Sequence, residues 1–288
     1  MRITGATRIT GVFGYPVRHS LSPVFQNAAF ESLGLDYVYV PMEVSPERIR
    51  EAVEGLRALN FAGVNLTIPH KKSVLEYLDE IDSEAKLLGV VNTIVNKDGI
   101  LKGYSTDGSG FMRSLTEYEG GFVPGGKNIF LLGAGGSAYA IAGALAREKV
   151  SRISVCNRTR ERAVLLAEHL SEKLGFHEVS IVPFEGRNEE EYWRDIQLIV
   201  NTTSVGMKEG DSLLVTESNV RKSEFVYDLI YNRKTELVGS AEKNGIRCLD
   251  GLSMLVYQGA VSFELWTGEK APVQVMKMAV RLESEIPT

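Results

Sequence analysis

Cysteine, tryptophan and histidine are scarce in this 288-residue chain, which holds two, two and four of them. Cys156 and Cys248 lie far apart and show no metal-ligand spacing. They read as reduced core thiols, which argues against a disulfide scaffold and for a cytoplasmic protein. His19, His70, His169 and His177 do not cluster, so no metal site is expected. Positive charge is not in surplus either: 32 Lys and Arg face 37 Asp and Glu, a formal net charge of −5. Without a basic block, nucleic acid and anionic membrane surfaces are poor partners, and an anionic ligand needs positive charge placed locally. Long hydrophobic runs are missing; nothing approaches the ~18 apolar residues of a membrane span. The stretch from Met1 to Val17 carries arginines and lacks the apolar run of a signal peptide, which again points to the cytoplasm.

What is there is ordinary globular composition, 44% hydrophobic and 24% charged. The length lies where single cores stop growing, so two domains are expected. Short apolar runs alternate with helical periodicity, the mark of α/β architecture with mostly parallel sheets. Strands are expected at 7–13, 37–42, 64–68 and 91–96, and helices at 23–33, 46–59, 70–78 and 83–88. Gly34 stops the first helix, and Ser45-Pro46 opens the second. A break falls at 107–110. A second series then follows, with strands at 128–132, 152–156, 179–182, 198–201 and 225–229 and a helix at 136–148. Two helices close the chain, at 253–266 and 273–285. The picture is two α/β layers joined by a hinge, and the cleft between such layers is the default ligand site.

The sharpest motif is Gly133-Ala134-Gly135-Gly136-Ser137-Ala138, a G-x-G-x-x-A between a strand and a helix. Gly133 permits a tight turn, Gly135 admits a pyrophosphate to the backbone, and Ala138 lets helix and strand pack closely. The helix start then offers free N–H groups to phosphates. A dinucleotide site that takes NAD usually carries a carboxylate about 20 residues on, for the ribose hydroxyls. Here the second strand ends in Cys156-Asn157-Arg158-Thr159, with Arg160 and Arg162 following. Guanidinium groups beside a threonine hydroxyl suit a 2′-phosphate, which favours NADP. A solvated basic helix start capped by Thr159 is the plain alternative.

Four segments of the N-terminal half place polar residues at strand ends. Ser22-Pro23 fits a helix cap and first helical residue, but that does not account for Ser20, whose second hydroxyl would help make a neutral carboxylate site. Asn65 and Thr67 alternate on one strand face, and Lys71 follows just past the strand, where a cation is unfavourable at a helix start. Asn92 sits in an apolar strand, where a bare amide is costly. Asp107 suits an N-cap for a helix beginning at Ser109. Each has a structural explanation alone; as a set they describe a pocket for a polyol carboxylate.

Nine segments in order carry a resemblance. They are Ser20-Leu-Ser22-Pro, Asn65-Leu-Thr67-Ile-Pro-His-Lys71, Val91-Asn92-Thr93, Ser105-Thr106-Asp107-Gly108, Gly133-Ala-Gly-Gly-Ser137-Ala, Asn157-Arg158-Thr159, Asn201-Thr202-Thr203-Ser204-Val205-Gly206-Met207, Tyr227-Asp228-Leu-Ile-Tyr231 and Gly251-Leu-Ser-Met254-Leu-Val-Tyr-Gln258. Over nearly the whole chain the sequence resembles the shikimate dehydrogenase family. The resemblance implies NADP-dependent reduction of 3-dehydroshikimate to shikimate. It implies a substrate domain of residues 1–108 with 253–288 and a Rossmann-type NADP domain of residues 109–252. Lys71 and Asp107 would be the catalytic pair. Ser20, Ser22 and Tyr231 would hold the substrate carboxylate, and Asn65, Thr67, Asn92 and Gln258 its hydroxyls. Gly133, Ala134, Gly135, Gly136 and Ser137 would take the pyrophosphate. Asn157, Arg158, Thr159 and Arg162 would take the 2′-phosphate, and Leu229 and Gly251 would line the nicotinamide end.

Three positions depart from the family's usual pattern: Asn232-Arg233 in place of a proline after Tyr231, Ser105 for asparagine, and Gly259 for alanine. Ser105 and Gly259 are expected to flank the substrate and loosen selectivity toward quinate. A quinate/shikimate dehydrogenase, one that uses NAD included, and a non-catalytic nucleotide sensor remain open at this point. The oligomeric state, a homodimer included, is open as well.

Overall fold

The computed structural model describes residues 2–284. Glu285, placed by the sequence reading at the end of the last helix, lies outside the described residues. The chain divides into two compact units, Met1–Gly110 with Leu255–Thr288 and Phe111–Met254.

The first unit opens with β1 (Arg8–Gly14), α1 (Ser22–Ser32), β2 (Tyr37–Glu43), α2 (Ile49–Ala58), β3 (Gly63–Leu66), α3 (His70–Ser73), β4 (Glu80–Ile81), α4 (Ser83–Leu88), β5 (Thr93–Lys97) and β6 (Ile100–Tyr104). Its strands run in the order β2-β1-β3-β5-β6-β4. β1 is parallel to β2 and β3, and β4 to β6, whereas β5 is antiparallel to both β3 and β6. The sequence reading misses β4 and β6. The β5–β6 hairpin turns at Asp98-Gly99, both in the left-handed region at φ 53° and 85°, the turn chemistry that an Asp-Gly pair supplies. Ile49, Val53 and Leu56 of α2 recur at helical spacing and bury with Phe13, Val64, Leu66 and Ile94 of the strands. Asp82 caps α4, its Oδ2 accepting from Glu84 N at 3.0 Å, and Gly89 ends it at φ 64°.

Helix α5 (Asp107–Thr116) leads into the second unit. There follow β7 (Asn128–Leu132), α6 (Gly136–Arg147), β8 (Arg152–Cys156), α7 (Arg160–Leu174), β9 (Val179–Val182), β10 (Leu198–Asn201), α8 (Glu217–Val220), β11 (Phe225–Asp228), α9 (Glu236–Lys243) and β12 (Arg247–Leu249). The strand order is β12-β11-β10-β7-β8-β9, parallel throughout. Numbered within this sheet, that is 6-5-4-1-2-3, the doubly wound Rossmann order, with its reversal between β7 and β10. Strands β10 and β11 are buried at every residue, as expected where helices cover both faces. Phe130 stacks on Trp193 with centroids 4.2 Å apart in the core beneath the sheet.

The chain then forms α10 (Leu252–Thr267) and α11 (Val273–Ser284), which from Leu255 onward belong to the first unit. No helix among the described residues is long and apolar enough to cross a membrane, and no His/Cys/Asp/Glu group among them could hold a metal ion.

Candidate active site

The polar centre of the first unit gathers residues from β3, β5, α5 and α10. The short helix α3 follows β3 and begins at His70, which is fully buried with its Nε2 2.8 Å from the Val44 carbonyl. Burial pushes that imidazole's pKa down, the Val44 hydrogen bond opposing it. The next residue is Lys71. Its Nζ donates to Asp107 Oδ2 at 2.5 Å, and the two side chains are 13% and 6% exposed. Asp107 is the first residue of α5 rather than a cap standing before a helix at Ser109.

Asn92 is the hub of this centre. Its Nδ2 lies 2.9 Å from Asp107 Oδ1, 2.9 Å from Thr106 Oγ1 and 3.1 Å from Gln258 Oε1. Its Oδ1 accepts from Thr106 N at 2.7 Å. It stands just before β5, not inside it, although its backbone still pairs with Tyr104 and Leu66. The burial cost that the sequence reading assigns to this amide is thus met by a protein network. Gln258 reaches it from α10, its Nε2 held by Leu255 O at 2.7 Å.

Asn65, expected as a hydroxyl ligand, also has protein partners. Its Oδ1 accepts from Tyr39 OH at 2.8 Å, and its Nδ2 lies within 3.1 Å of Asn92 O, Thr93 Oγ1 and Ser262 Oγ. These contacts tie β3 to β5 and α10. The supporting residues Thr106, Thr93, Tyr39 and Ser262 receive no role in the sequence reading, although Thr93 and Thr106 stand in two of its nine segments. Ser262 alone has a spacing signal, four residues from Gln258 on one helix face. Thr67 follows β3, its N–H donating to Phe13 O at 2.9 Å.

At the start of α1 the cap position belongs to Leu21, and Ser22 is the first helical residue. The reading of Ser22 as cap is therefore shifted by one. Ser20 Oγ accepts from Ser22 N at 3.3 Å, so a hydroxyl does serve this helix start, from the serine that the cap argument leaves over. Ser22 is buried, and its hydroxyl has no protein partner among the described residues. Gly259 does not open space beside Gln258. A Cβ there would lie 2.5 Å from Phe25 Cε2 and 3.1 Å from Gln26 Nε2, so its small size is used up by α1. Ser105 keeps a buried hydroxyl with no protein partner among the described residues.

In the second unit the sheet reverses at β7 and β10, where an open α/β sheet binds its ligand. Gly133 leaves β7 at φ 107°, and a Cβ on it would sit 2.4 Å from Thr202 Oγ1, itself bonded to Leu132 O. Gly135 has nothing within 4 Å of a Cβ position and opens toward the N-terminus of α6. Ala134 and Gly136 complete the turn, and Ser137 stands in the first turn of α6. At the end of β8, Asn157 Nδ2 holds Thr159 O at 2.7 Å, and Thr159 is the N-cap of α7 without a side-chain cap bond. Arg158, Arg160 and Arg162 are exposed, and none pairs with a carboxylate among the described residues. Beyond β11, Gly251 lies against Leu229, and burial raises the phenol pKa of Tyr231.

Each unit thus has a polar site. The first can exchange a proton with a hydroxyl or carbonyl and orient neighbouring hydroxyls. The second has the glycine turn, helix start and uncommitted arginines that a phosphorylated dinucleotide needs. Three family profiles match in order: the shikimate dehydrogenase substrate binding domain over residues 12–94, shikimate / quinate 5-dehydrogenase over 123–204 and the shikimate 5′-dehydrogenase C-terminal domain over 251–281. A shikimate dehydrogenase (NADP(+)) of Methanopyrus kandleri is 46% identical over 281 residues, 96% of either chain. The chain belongs to the shikimate dehydrogenase family. Solved structures agree. A shikimate dehydrogenase crystallised with NADP+ superposes with a TM-score of 0.90 at 40% identity, over 99% of this chain and 98% of that one. The shikimate 5-dehydrogenase of Thermus thermophilus in complex with NADP(H) and shikimate gives 0.84 at 34%, over 96% and 99%.

Proposed function

We propose that the chain is an NADP-dependent oxidoreductase of the cytoplasm that reduces 3-dehydroshikimate to shikimate, on the route to chorismate and the aromatic amino acids. The observation that carries this reading is the Lys71–Asp107 pair at 2.5 Å, held in one buried network with Asn92 and Gln258. Ser20 and Ser22 take the substrate carboxylate, and Asn65, Thr67, Asn92 and Gln258 its hydroxyls. For Tyr231 a carboxylate role rests on the family resemblance.

The second unit fits NADP on its own geometry. A side chain at Gly133 would collide with Thr202, while Gly135 leaves open space before α6. The pyrophosphate is assigned to Gly133, Ala134, Gly135, Gly136 and Ser137. Asn157, Arg158, Thr159 and Arg162 are assigned to the 2′-phosphate, and Leu229 and Gly251 to the nicotinamide end. When bound, the reduced cofactor supplies the hydride. The residues handle the proton: Lys71 gives one to the carbonyl oxygen as it becomes a hydroxyl, and Asp107 holds that oxygen's hydrogen and the lysine in line. Asn92, bonded to both Asp107 and Gln258, keeps the carboxylate and the amide from turning away.

The test follows absorbance of the reduced cofactor with purified chain and shikimate plus NADP+, then with NAD+ and with quinate. Fast turnover only with shikimate and NADP+ supports the reading. Comparable rates on quinate or with NAD+ move the function to the broader relative, and no turnover despite NADP+ binding leaves a sensor.

A further inference from the structure

The carboxylate of Asp228, at the end of β11, is 0% exposed, and no lysine or arginine pairs with it among the described residues. Three donors hold it instead. Asn201 Nδ2 reaches Oδ1 at 2.9 Å from the end of β10, and Ile230 N reaches the same oxygen at 3.1 Å. Thr235 Oγ1 reaches Oδ2 at 2.7 Å and also accepts from Val238 N at the start of α9. Asn201 in turn orders the following loop, its Oδ1 accepting from Thr203 N and Thr203 Oγ1 and its Nδ2 donating to Val205 O.

A buried acid without a cation is costly, and burial is the main cause that raises this one to about 6. Such a group persists where its geometry is needed. What it shapes is the turn from Leu229 to Tyr231. The Ile230 carbonyl accepts from Gly251 N at 3.1 Å, and a Cβ on Gly251 would lie 2.0 Å from Leu229 O. Moving the Asp228 carboxylate would therefore move Leu229 and Gly251 together.

We infer that Asp228 is a positioning residue for the reaction: with Asn201 and Thr235 it fixes the Leu229–Gly251 contact that aligns the nicotinamide, without touching substrate or cofactor. The inference rests on the NADP reading above and deepens it. Asparagine at this position keeps the Oδ1 acceptor for Asn201 and Ile230 and lets Thr235 accept in place of donating, so it should stand in for the acid. Alanine should not.

The test uses the full chain with Asp228→Ala and Asp228→Asn, measuring kcat with shikimate and NADP+ and the NADPH dissociation constant by fluorescence titration. Displacement of a reacting group by about 1 Å can cost on the order of a hundredfold. Alanine should accordingly lower kcat at least roughly tenfold. NADPH affinity, set at the phosphates, should stay within about threefold, and asparagine should restore most of kcat. A kcat close to that of the unaltered chain in the alanine variant would overturn the inference. So would an equal loss of NADPH affinity, or an asparagine variant no better than alanine. If the alanine variant does not fold, Thr235→Val decides: a lowered kcat at constant NADPH affinity supports the inference, and an unchanged kcat refutes it. No turnover by the unaltered chain would sink the NADP reading, and this inference with it.

Discussion

Replacing Gly259 by alanine restores the residue usual in the family, and the structure says it will harm this chain. The added Cβ would lie 2.5 and 2.6 Å from Phe25 Cε2 and Cζ, and 3.1 Å from Gln26 Nε2. Neither neighbour has room to retreat. Phe25 is fully buried and packs within the first unit, and Gln26 Nε2 is bonded to the Gly259 carbonyl at 2.8 Å. Overpacking of this kind costs roughly 1–3 kcal/mol. Shortening the ring with Phe25→Leu should cost roughly 1 kcal/mol alone. Combined with Gly259→Ala it should recover most of the loss, a coupling of about 1–2 kcal/mol. Urea unfolding of the four proteins measures all three quantities. The ratio of shikimate to quinate turnover should not change in Gly259→Ala, because the space at this position faces α1. An alanine variant as stable as the unaltered chain, or one with altered selectivity, would refute the packing argument and return Gly259 to the specificity of the site.

Lys71→Ala should lower kcat by roughly 10²–10⁴-fold, the usual worth of general acid–base catalysis, with NADPH affinity unchanged by titration. Arg158→Ala should raise KM for NADP+ by roughly ten- to hundredfold, the worth of a hydrogen bond to a charged group, and leave KM for NAD+ alone in steady-state assays. The buried acid at 228 also carries a pH signature. Its folded pKa of about 6 lies above the ordinary 3.8, so between those values the folded chain keeps a proton that the unfolded chain has lost. Its contribution to stability is therefore greatest at low pH and falls as pH rises through 4–6, by about 3 kcal/mol in all. Asp228→Asn should flatten that part of the stability profile in urea titrations at successive pH values, and equal slopes would count against the burial argument.

The second sheet was largely legible in advance. Strands β7, β8, β9 and β10 fall where the apolar runs place them, and the central pair β7 and β10, covered on both faces, are nearly uninterrupted runs. The antiparallel part of the first sheet was not. Ile100–Tyr104 interleaves apolar with polar residues in a short edge-side strand, and the Asp98-Gly99 turn before it was the one available signal. The site divides in the same way. Lys71 and Asp107 are 36 residues apart, and Asn92 and Gln258 are 166 apart; no local pattern connects them, and the resemblance alone brought them together. The protein partners of the Asn65 amide and the filled space beside Gly259 depend on packing between distant elements, which spacing does not encode.

The first unit is interrupted in sequence, and this bears on how the protein is made. Gln258 and Ser262, which complete the network around Asn92 and Asn65, are synthesised only after the whole of Phe111–Met254. The intervening Phe111–Met254 segment is continuous and has its own parallel sheet. Domains fold as units while the ribosome works from the N-terminus. The dinucleotide half can therefore finish while the residues ahead of it in sequence still wait for their closing helices. Chains ending near residue 250, once clear of the ribosome, should resist protease across the middle of the sequence and be cut within the first hundred residues.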